Sequence, residues 1–363
     1  MHFKKVPNSI RIASEGTMAR SPSTRRSTIY DIAKATQASP STVSLVLNDS
    51  WKRYRIKEET AKRVLKAAQE LGYAVNMKAR GLRLSRSGLA GMIIPHYRNR
   101  FFAGLAEAFE ADTRQRGLCP IVVSTRRDEE IEASVTSTLL SQQVEFLFIA
   151  GVRNTKPLNA LCRAAGIPCV NLDLPGSDAP SVVTDNYGGA RALTEKLIAK
   201  LRKRRKAPRD LLFLGGVAGE HATDRRIDGF RDAVAANGQE MVLEVACCGY
   251  RPSSAREALT AHFEALGRMP DGLFINSITS FEGLVQFSLQ VPRQAMREVS
   301  TVCSDWDPFA AHLPFDVIMT RQNVETIIAE GYALVDNYVP GENPMVVVPP
   351  EFAPSSERES NWR

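Results

Sequence analysis

The side chains suited to recognition rather than packing fall into two sets in this 363-residue chain. The first lies between Thr28 and Asn48, in TIYDIAKATQASPSTVSLVLN. Ile29, Ile32 and Ala33 fall at helical spacing on one face, and Val43, Val46 and Leu47 repeat that pattern after a short turn. Ser39 suits an N-cap and Pro40 the first helical position, where its missing N–H is not needed. The second helix then leaves Pro40, Ser41, Thr42, Ser44, Leu45 and Asn48 outward. Short side chains at a helix start are what can reach base edges in a major groove. An ordinary αα-hairpin shows the same local pattern, so context must decide.

Charge supplies that context. Residues 1–90 hold 18 Lys and Arg against 6 Asp and Glu, and the remainder holds 29 against 34. The overall +7 therefore hides a basic front and an acidic body. A basic module gains affinity for DNA by displacing counterions, while an acidic body is repelled by the same polyanion. Lys52, Arg53 and Arg55 follow the hairpin. A third helix, Glu58–Leu71, is expected to roof it with Val64, Leu65, Ala68 and Leu71, and Gly72 stops it. In NMKARGLRLSR, Asn76–Arg86, Leu82 stands between Arg80 and Arg83. An apolar wedge flanked by phosphate-seeking charges is the chemistry of minor-groove insertion. Such a short helix would order only on DNA.

The second set lies just after apolar runs in the long remainder. His96, Asn99, Phe101 and Phe102 follow one run, Asp173 another, Asn276 a third, and Asp305 with Trp306 a fourth. Carboxylates and amides around an aromatic ring supply paired donors and acceptors, which sugar hydroxyls require. Each could equally be a cap or a surface polar group. The runs are Gly91–Ile94, Pro120–Ser124, Phe146–Ile149, Pro168–Leu172, Val182–Thr184, Leu211–Leu214, Gly272–Ile275, Ser300–Cys303 and Val317–Thr320. Helix-period segments such as Phe101–Arg116, Tyr187–Leu201, Arg225–Ala236, Ala255–Leu266 and Val324–Asn337 separate them. Alternation of this kind predicts parallel, doubly wound sheets, and there are enough units for two lobes. Ligands in such sheets bind beyond the carboxyl ends of the strands.

Composition excludes other classes. With 44% hydrophobic residues the chain can bury a large core. No run approaches the ~18 apolar residues of a membrane span, and residues 1–26 lack a signal-peptide apolar region. That leader is expected to be disordered, with Met18 a rival start. Cys119, Cys162, Cys169, Cys247, Cys248 and Cys303 show no CxxC spacing, so buried reduced thiols are expected rather than zinc or disulfides. KLRKRRK, Lys200–Lys206, is expected to be a solvated surface connection. No nucleophile–base grouping, metal spacing or phosphate loop appears, and Asp305 with Asp307 assembles no reaction. No enzyme activity and no cofactor is expected.

The segment Thr28–Leu82 resembles the DNA-binding headpiece and hinge helix of the lactose-repressor (LacI) family. The matching residues are Tyr30-Asp31-Ile32-Ala33, Thr42-Val43-Ser44, Asn48, the run to Gly72-Tyr73, and Asn76 to Leu82. The loop Asn48–Ile56, with Lys52, Tyr54 and Arg55, is similar to the branch of fructose and sucrose repressors and the catabolite repressor/activator. The resemblance continues through the body. It implies a small all-α helix-turn-helix headpiece and an α/β periplasmic-binding-protein-like body of two doubly wound parallel-sheet lobes. The chain would cross between lobes near Asp185–Gly188 and Arg321–Asn323.

The resemblance also implies roles. Pro40, Ser41 and Leu45 fall where the family reads bases. Tyr30, Thr42, Ser44 and Asn48 fall where it contacts backbone or supports the reading helix. Thr28, Ser39, Arg55, Asn76, Ala79, Arg80 and the wedge Leu82 complete the DNA set. Arg226, Tyr250 and Gln322 match effector-pocket positions and join His96, Asn99, Phe102, Asp173, Asn276 and Asp305. Departures are Leu45 for a frequent arginine, Gln37 for the turn glycine, Val75 for a proline, His96 for an aspartate, and Leu174-Pro175 where an arginine often follows the aspartate. Arg98, Arg100 or Arg153 could replace that lost anion clamp. The expected organisation is a leader 1–26, a headpiece 27–73, a hinge 74–87, a two-lobed effector-binding and dimerisation body 88–354, and a polar tail 355–363. The implied protein is a cytoplasmic, homodimeric, ligand-responsive repressor of fructose- or sucrose-type sugar genes. It would bind double-stranded operator DNA and a sugar or sugar phosphate, with no membrane partner. A purine-type effector is the alternative, and a sugar-transport binding protein the rival class.

Overall fold

The computed structural model describes residues 27–73, 86–204, 209–238 and 240–353, which divide into two compact units at residues 80 and 81. In the first unit, helix α1 (Ile29–Thr36) starts where Asp31 Oδ2 accepts from the backbone N and the hydroxyl of Thr28, both at 2.7 Å. Helix α2 (Pro40–Leu47) starts on Ser39, whose Oγ accepts from Thr42 N at 3.1 Å. Between them Gln37 takes the left-handed conformation, φ 52°, that glycine would adopt without strain. Helix α3 (Glu58–Glu70) closes a core of Ile32, Ala33, Val43, Val46, Ala61, Val64, Ala67 and Ala68. Val64 and Ala68 of the expected stripe are buried, and Ala61 and Ala67 complete that face in place of Leu65 and Leu71. Leu65 and Leu71 stay 49% and 38% exposed, while the alanines beside Val64 fit the close approach of three short helices.

The second unit begins with β1 (Leu89–Ile94), α4 (Arg100–Gln115), β2 (Cys119–Ser124), α5 (Glu129–Ser141), β3 (Leu147–Ala150), α6 (Lys156–Ala165), β4 (Cys169–Leu172) and β5 (Ser181–Thr184). After α7 (Asn186–Arg204) come β6 (Asp210–Leu214), α8 (His221–Ala236), β7 (Val242–Ala246), α9 (Pro252–Leu266), β8 (Gly272–Ile275), α10 (Ile278–Ser288), α11 (Arg293–Arg297), β9 (Ser300–Cys303) and β10 (Val317–Arg321). It ends with α12 (Val324–Asp336), β11 (Met345–Val348) and β12 (Glu351–Phe352).

Two six-stranded sheets result, in the orders β11-β5-β4-β3-β1-β2 and β12-β10-β9-β8-β6-β7. Every pairing is parallel except that of β12 with β10. Strand order reverses between β1 and β3 in the first lobe and between β6 and β8 in the second. Those are the points where loops diverge and leave a crevice. The chain crosses between lobes after β5 and after β10, and a third time between β11 and β12, which the sequence reading did not include. Phe109, Phe146, Phe148 and Tyr332 fill the first lobe, and Phe213, Phe230 and Phe274 the second.

Two further expectations need correction. Lys200–Arg204 are not a loop: α7 runs on through them. Lys200 pairs with Asp316 at 2.5 Å, and Arg204 donates to the carbonyls of Arg297 and Val299, which holds the helix end down. The cysteines are unpaired, but only Cys162, Cys169 and Cys303 are buried; Cys119 and Cys247 are exposed because they sit at strand ends.

Candidate functional site

In the first unit the residues expected to read DNA gather at the start of α2. Ser39, Pro40 and Ser41 are exposed, and Thr42, Ser44, Leu45 and Asn48 are half-buried. Asn48 Nδ2 donates to Ser44 O at 2.7 Å, so Asn48 braces the helix it ends. Thr28 likewise serves as a cap. Tyr30 is 73% exposed. Arg55 is exposed, beside exposed Lys52, Arg53 and Tyr54. No acidic residue lies in the first turn of α2, so its free N–H groups face outward without a competing charge. Asn76, Ala79, Arg80 and Leu82 lie outside the described residues.

In the second unit the strand ends of both lobes meet. Arg226, on α8, is buried and held at two of its nitrogens: Nε donates to Asn186 Oδ1 at 2.8 Å, and Nη1 to Asn276 O at 2.5 Å. Asn276, at the end of β8, is wholly buried, and its Nδ2 has no hydrogen-bond partner among the described residues. A buried donor left without an acceptor is costly unless a ligand supplies one. Gly216 makes room for it, because a Cβ there would lie 2.6 Å from that Nδ2 and φ is +79°. Gln322 joins the lobes: its Oε1 accepts from Thr184 at 2.7 Å and its Nε2 donates to Asp305 at 2.8 Å. Asp305 also accepts from Ile278 N at 3.0 Å, so it caps α10.

Asp173, directly after β4, is buried and holds φ 73°. Burial pushes its carboxyl up to about 6, against the pull of Arg127 and Arg226. Tyr250 donates to Glu220 and lies 3.2 Å from the Thr223 hydroxyl. Burial and then the Glu220 charge push its phenol up. His96 is exposed, yet partial desolvation of its ring, with the charges of Arg127, Arg126 and Arg98, holds its imidazole below the usual range. Two predicted residues do other work. Asn99 caps α4 by accepting from Phe101 N at 2.9 Å. Phe102 packs into the first-lobe core, while Phe101 lines the cleft.

Glu220 and Arg127, which the expected set lacks, complete the cleft together with Arg153, Arg100 and Asp307. Glu220, the N-cap of α8, accepts from Arg127 at 2.5 Å and Arg153 at 3.4 Å, both from the opposite lobe. Arg100 meets Asp307 across the lobes at 2.8 Å. Toward the chain crossings the cleft widens to a cavity of about 200 Å³, lined by Arg100, Phe101, Glu107, Trp306, Arg321 and Gln322 among others. The strand-end rule that found Asp173 and Asn276 also covers Arg127, after β2, and Glu220, after β6.

A three-helix unit with helix-turn-helix geometry, followed in the chain by a bilobed body with a polar cleft, defines a class: regulators that couple a small molecule to DNA. The match to the lacI family of bacterial regulatory proteins spans residues 28–76, and that to the periplasmic binding protein domain spans residues 90–291. The ribitol operon repressor of Klebsiella aerogenes is 47% identical over 192 residues, 53% of this chain and 71% of that protein. The sucrose operon repressor of Klebsiella pneumoniae is 31% identical over 270 residues, 74% of this chain and 79% of that protein. Among solved structures, the lac repressor dimer bound to operator and the anti-inducer ONPF aligns with a TM-score of 0.74 at 20% identity, covering 91% of this chain and 98% of that one. The chain belongs to the lacI family of bacterial regulatory proteins. It is a DNA-binding transcriptional regulator, not an enzyme, and none of its described helices is long and apolar enough to cross a membrane.

Proposed function

We propose that the protein is a cytoplasmic, homodimeric repressor of a polyol or sugar operon, and that its effector is an uncharged polyhydroxy compound of the pentitol class. One observation carries the effector reading. Arg127, Arg153 and Arg226 in the cleft are set against Asp173, Glu220 and Asp305, and each arginine already has a partner. A site whose arginines are already occupied, with a carboxylate acceptor and the free Asn276 Nδ2 donor, suits hydroxyl groups rather than phosphate. The 47% identity to a ribitol operon repressor agrees with this. The 31% identity to a sucrose operon repressor over most of the chain supports a second reading, a sucrose- or fructose-type sugar.

In this reading Pro40, Ser41 and Leu45 meet base edges, and Leu45 contributes apolar contact of the kind a thymine methyl offers. Tyr30, Thr42, Ser44, Asn48 and Arg55 hold the phosphate backbone, and paired Leu82 residues open the minor groove at the centre of a pseudo-palindrome. Asp173, Arg226, Tyr250, Asn276, Asp305 and Gln322 hold the effector. Thermal-shift measurements with ribitol, D-arabitol, xylitol, sucrose, fructose, fructose 1-phosphate and nucleobases test the assignment. A multi-degree rise with a pentitol supports it; a rise with nucleobases alone, or with none of the hydroxyl compounds, overturns it.

A further inference from the structure

The lips of the cleft are of opposite sign. His96, Arg98, Arg100, Arg126, Arg127 and Arg153 follow strands β1, β2 and β3 of the first lobe. Facing them from the second lobe are Glu220, Glu282 and Asp307; Arg100 pairs with Asp307, and burial and then the Asp307 charge push the Glu282 carboxyl up, with Arg98 pulling the other way. At the centre stands Glu220, its side chain only 4% exposed. Its Oε1 takes Arg127 and Arg153 together, and its Oε2 takes the Tyr250 hydroxyl. Arg127, 17% exposed, is held further by the face of the Tyr250 ring, 5.2 Å away.

We infer that Glu220 is the charge-selectivity residue of the cleft: it occupies the two arginines of the opposite lobe and thereby excludes phosphorylated and carboxylated ligands while admitting neutral polyols. The reasoning is one of competition. Arg127 and Arg153 after strand ends form an anion clamp, since guanidinium forks match phosphate oxygens. An incoming phosphate must displace Glu220 and then lie beside a buried carboxylate, with Asp173 close behind. Like charges in a site of reduced dielectric repel strongly over such distances. A neutral hydroxyl meets no such penalty and can accept from or donate to the same groups. The arginine absent after Asp173 therefore does not leave the chain without anion-binding cations; Glu220 fills the clamp instead.

The inference rests on the cleft being the effector site, and the test separates the two. Isothermal titration calorimetry on the full chain compares ribitol, a pentitol 5-phosphate and inorganic phosphate for wild type, Glu220→Gln and Glu220→Ala, each first shown to melt cooperatively. Wild type is expected to bind neither phosphate species. Both variants should gain about ten- to hundredfold in affinity for them. Adding Arg127→Gln to either variant should abolish the gain. Equal phosphate affinity in wild type and both variants, or a gain that survives Arg127→Gln, overturns the inference. Failure of ribitol and every other neutral polyol to bind wild type would overturn the effector reading alone, because inorganic phosphate still reports on Glu220.

Discussion

Asp173 concentrates the tension of the cleft. It is a non-glycine residue held at φ 73°, with its backbone N bound to Val182 O at 3.0 Å, so sheet geometry imposes the strained turn. Conformations of this kind cost about 1–3 kcal/mol and persist where the surroundings over-determine them. Burial also raises its carboxyl from 3.8 to about 6. A carboxylic acid with a raised folded-state value binds more protons folded than unfolded. Its contribution to stability is therefore fully present below about pH 4 and is lost as pH rises through about 6. The difference amounts to about 3 kcal/mol at one pH unit per 1.36 kcal/mol. Asp173→Asn should accordingly become more stable than wild type above pH 6, with the advantage shrinking toward pH 4. Denaturant melts of both proteins across that range measure it; parallel pH profiles would contradict the assignment. An effector hydroxyl donated to the carboxylate offsets the same cost, so polyol affinity should fall in wild type below pH 6.

At the scale of elements, the turn between α1 and α2 is the least comfortable part of the headpiece. Gln37 sits at φ 52° and ψ 30° where a Cβ is crowded. Gln37→Gly should stabilise the headpiece by about 0.5–1 kcal/mol, less than the full relief of strain because glycine also loosens the unfolded chain. Hydrogen exchange of the α1 and α2 amides would register it as slower opening, and unchanged or faster exchange would contradict it. This element was legible in advance because short helices with strong caps and alternating apolar faces announce themselves. Strands buried on both sides, such as Leu211–Leu214, were legible for the same reason. Three of the four edge strands were not, although β2 was: β7 is interrupted by the exposed Glu244, β12 is two residues long, and β11 is a short apolar run between Pro344 and Pro349 that exposes Met345 and Val347. Nor was α5 read as a helix, since Glu132 and Thr136 lie on its buried face and break the apolar period. In the cleft, Asp173 and Asn276 stood out after clear strands. Glu220 and Arg127 also follow strands, but they lie six and three residues beyond β6 and β2, and only the meeting of the two lobes pairs them.

At the scale of the molecule, the basic front and acidic body divide labour between DNA and effector. The hinge proposed for residues 74–87 includes Leu82, whose sequence neighbours Arg80 and Arg83 suit a groove wedge. Leu82→Ala should keep weak, salt-sensitive DNA binding and lose discrimination between operator and random duplex, as footprinting at moderate salt would record. Retained discrimination would remove the wedge role. Coupling between the sites requires only that the effector bind one closure of the lobes better than another, and such couplings are typically about 1–3 kcal/mol.

The most direct measurement follows from that coupling. Duplexes selected by the full chain from a random-sequence pool supply an operator, and fluorescence anisotropy then gives its Kd with and without each candidate effector at fixed salt. The account predicts strong preference for the selected duplex over its scrambled counterpart, and a change in operator Kd of about 5- to 150-fold with a neutral pentitol. No preference for any duplex, or an operator Kd that no hydroxyl compound alters, would contradict it.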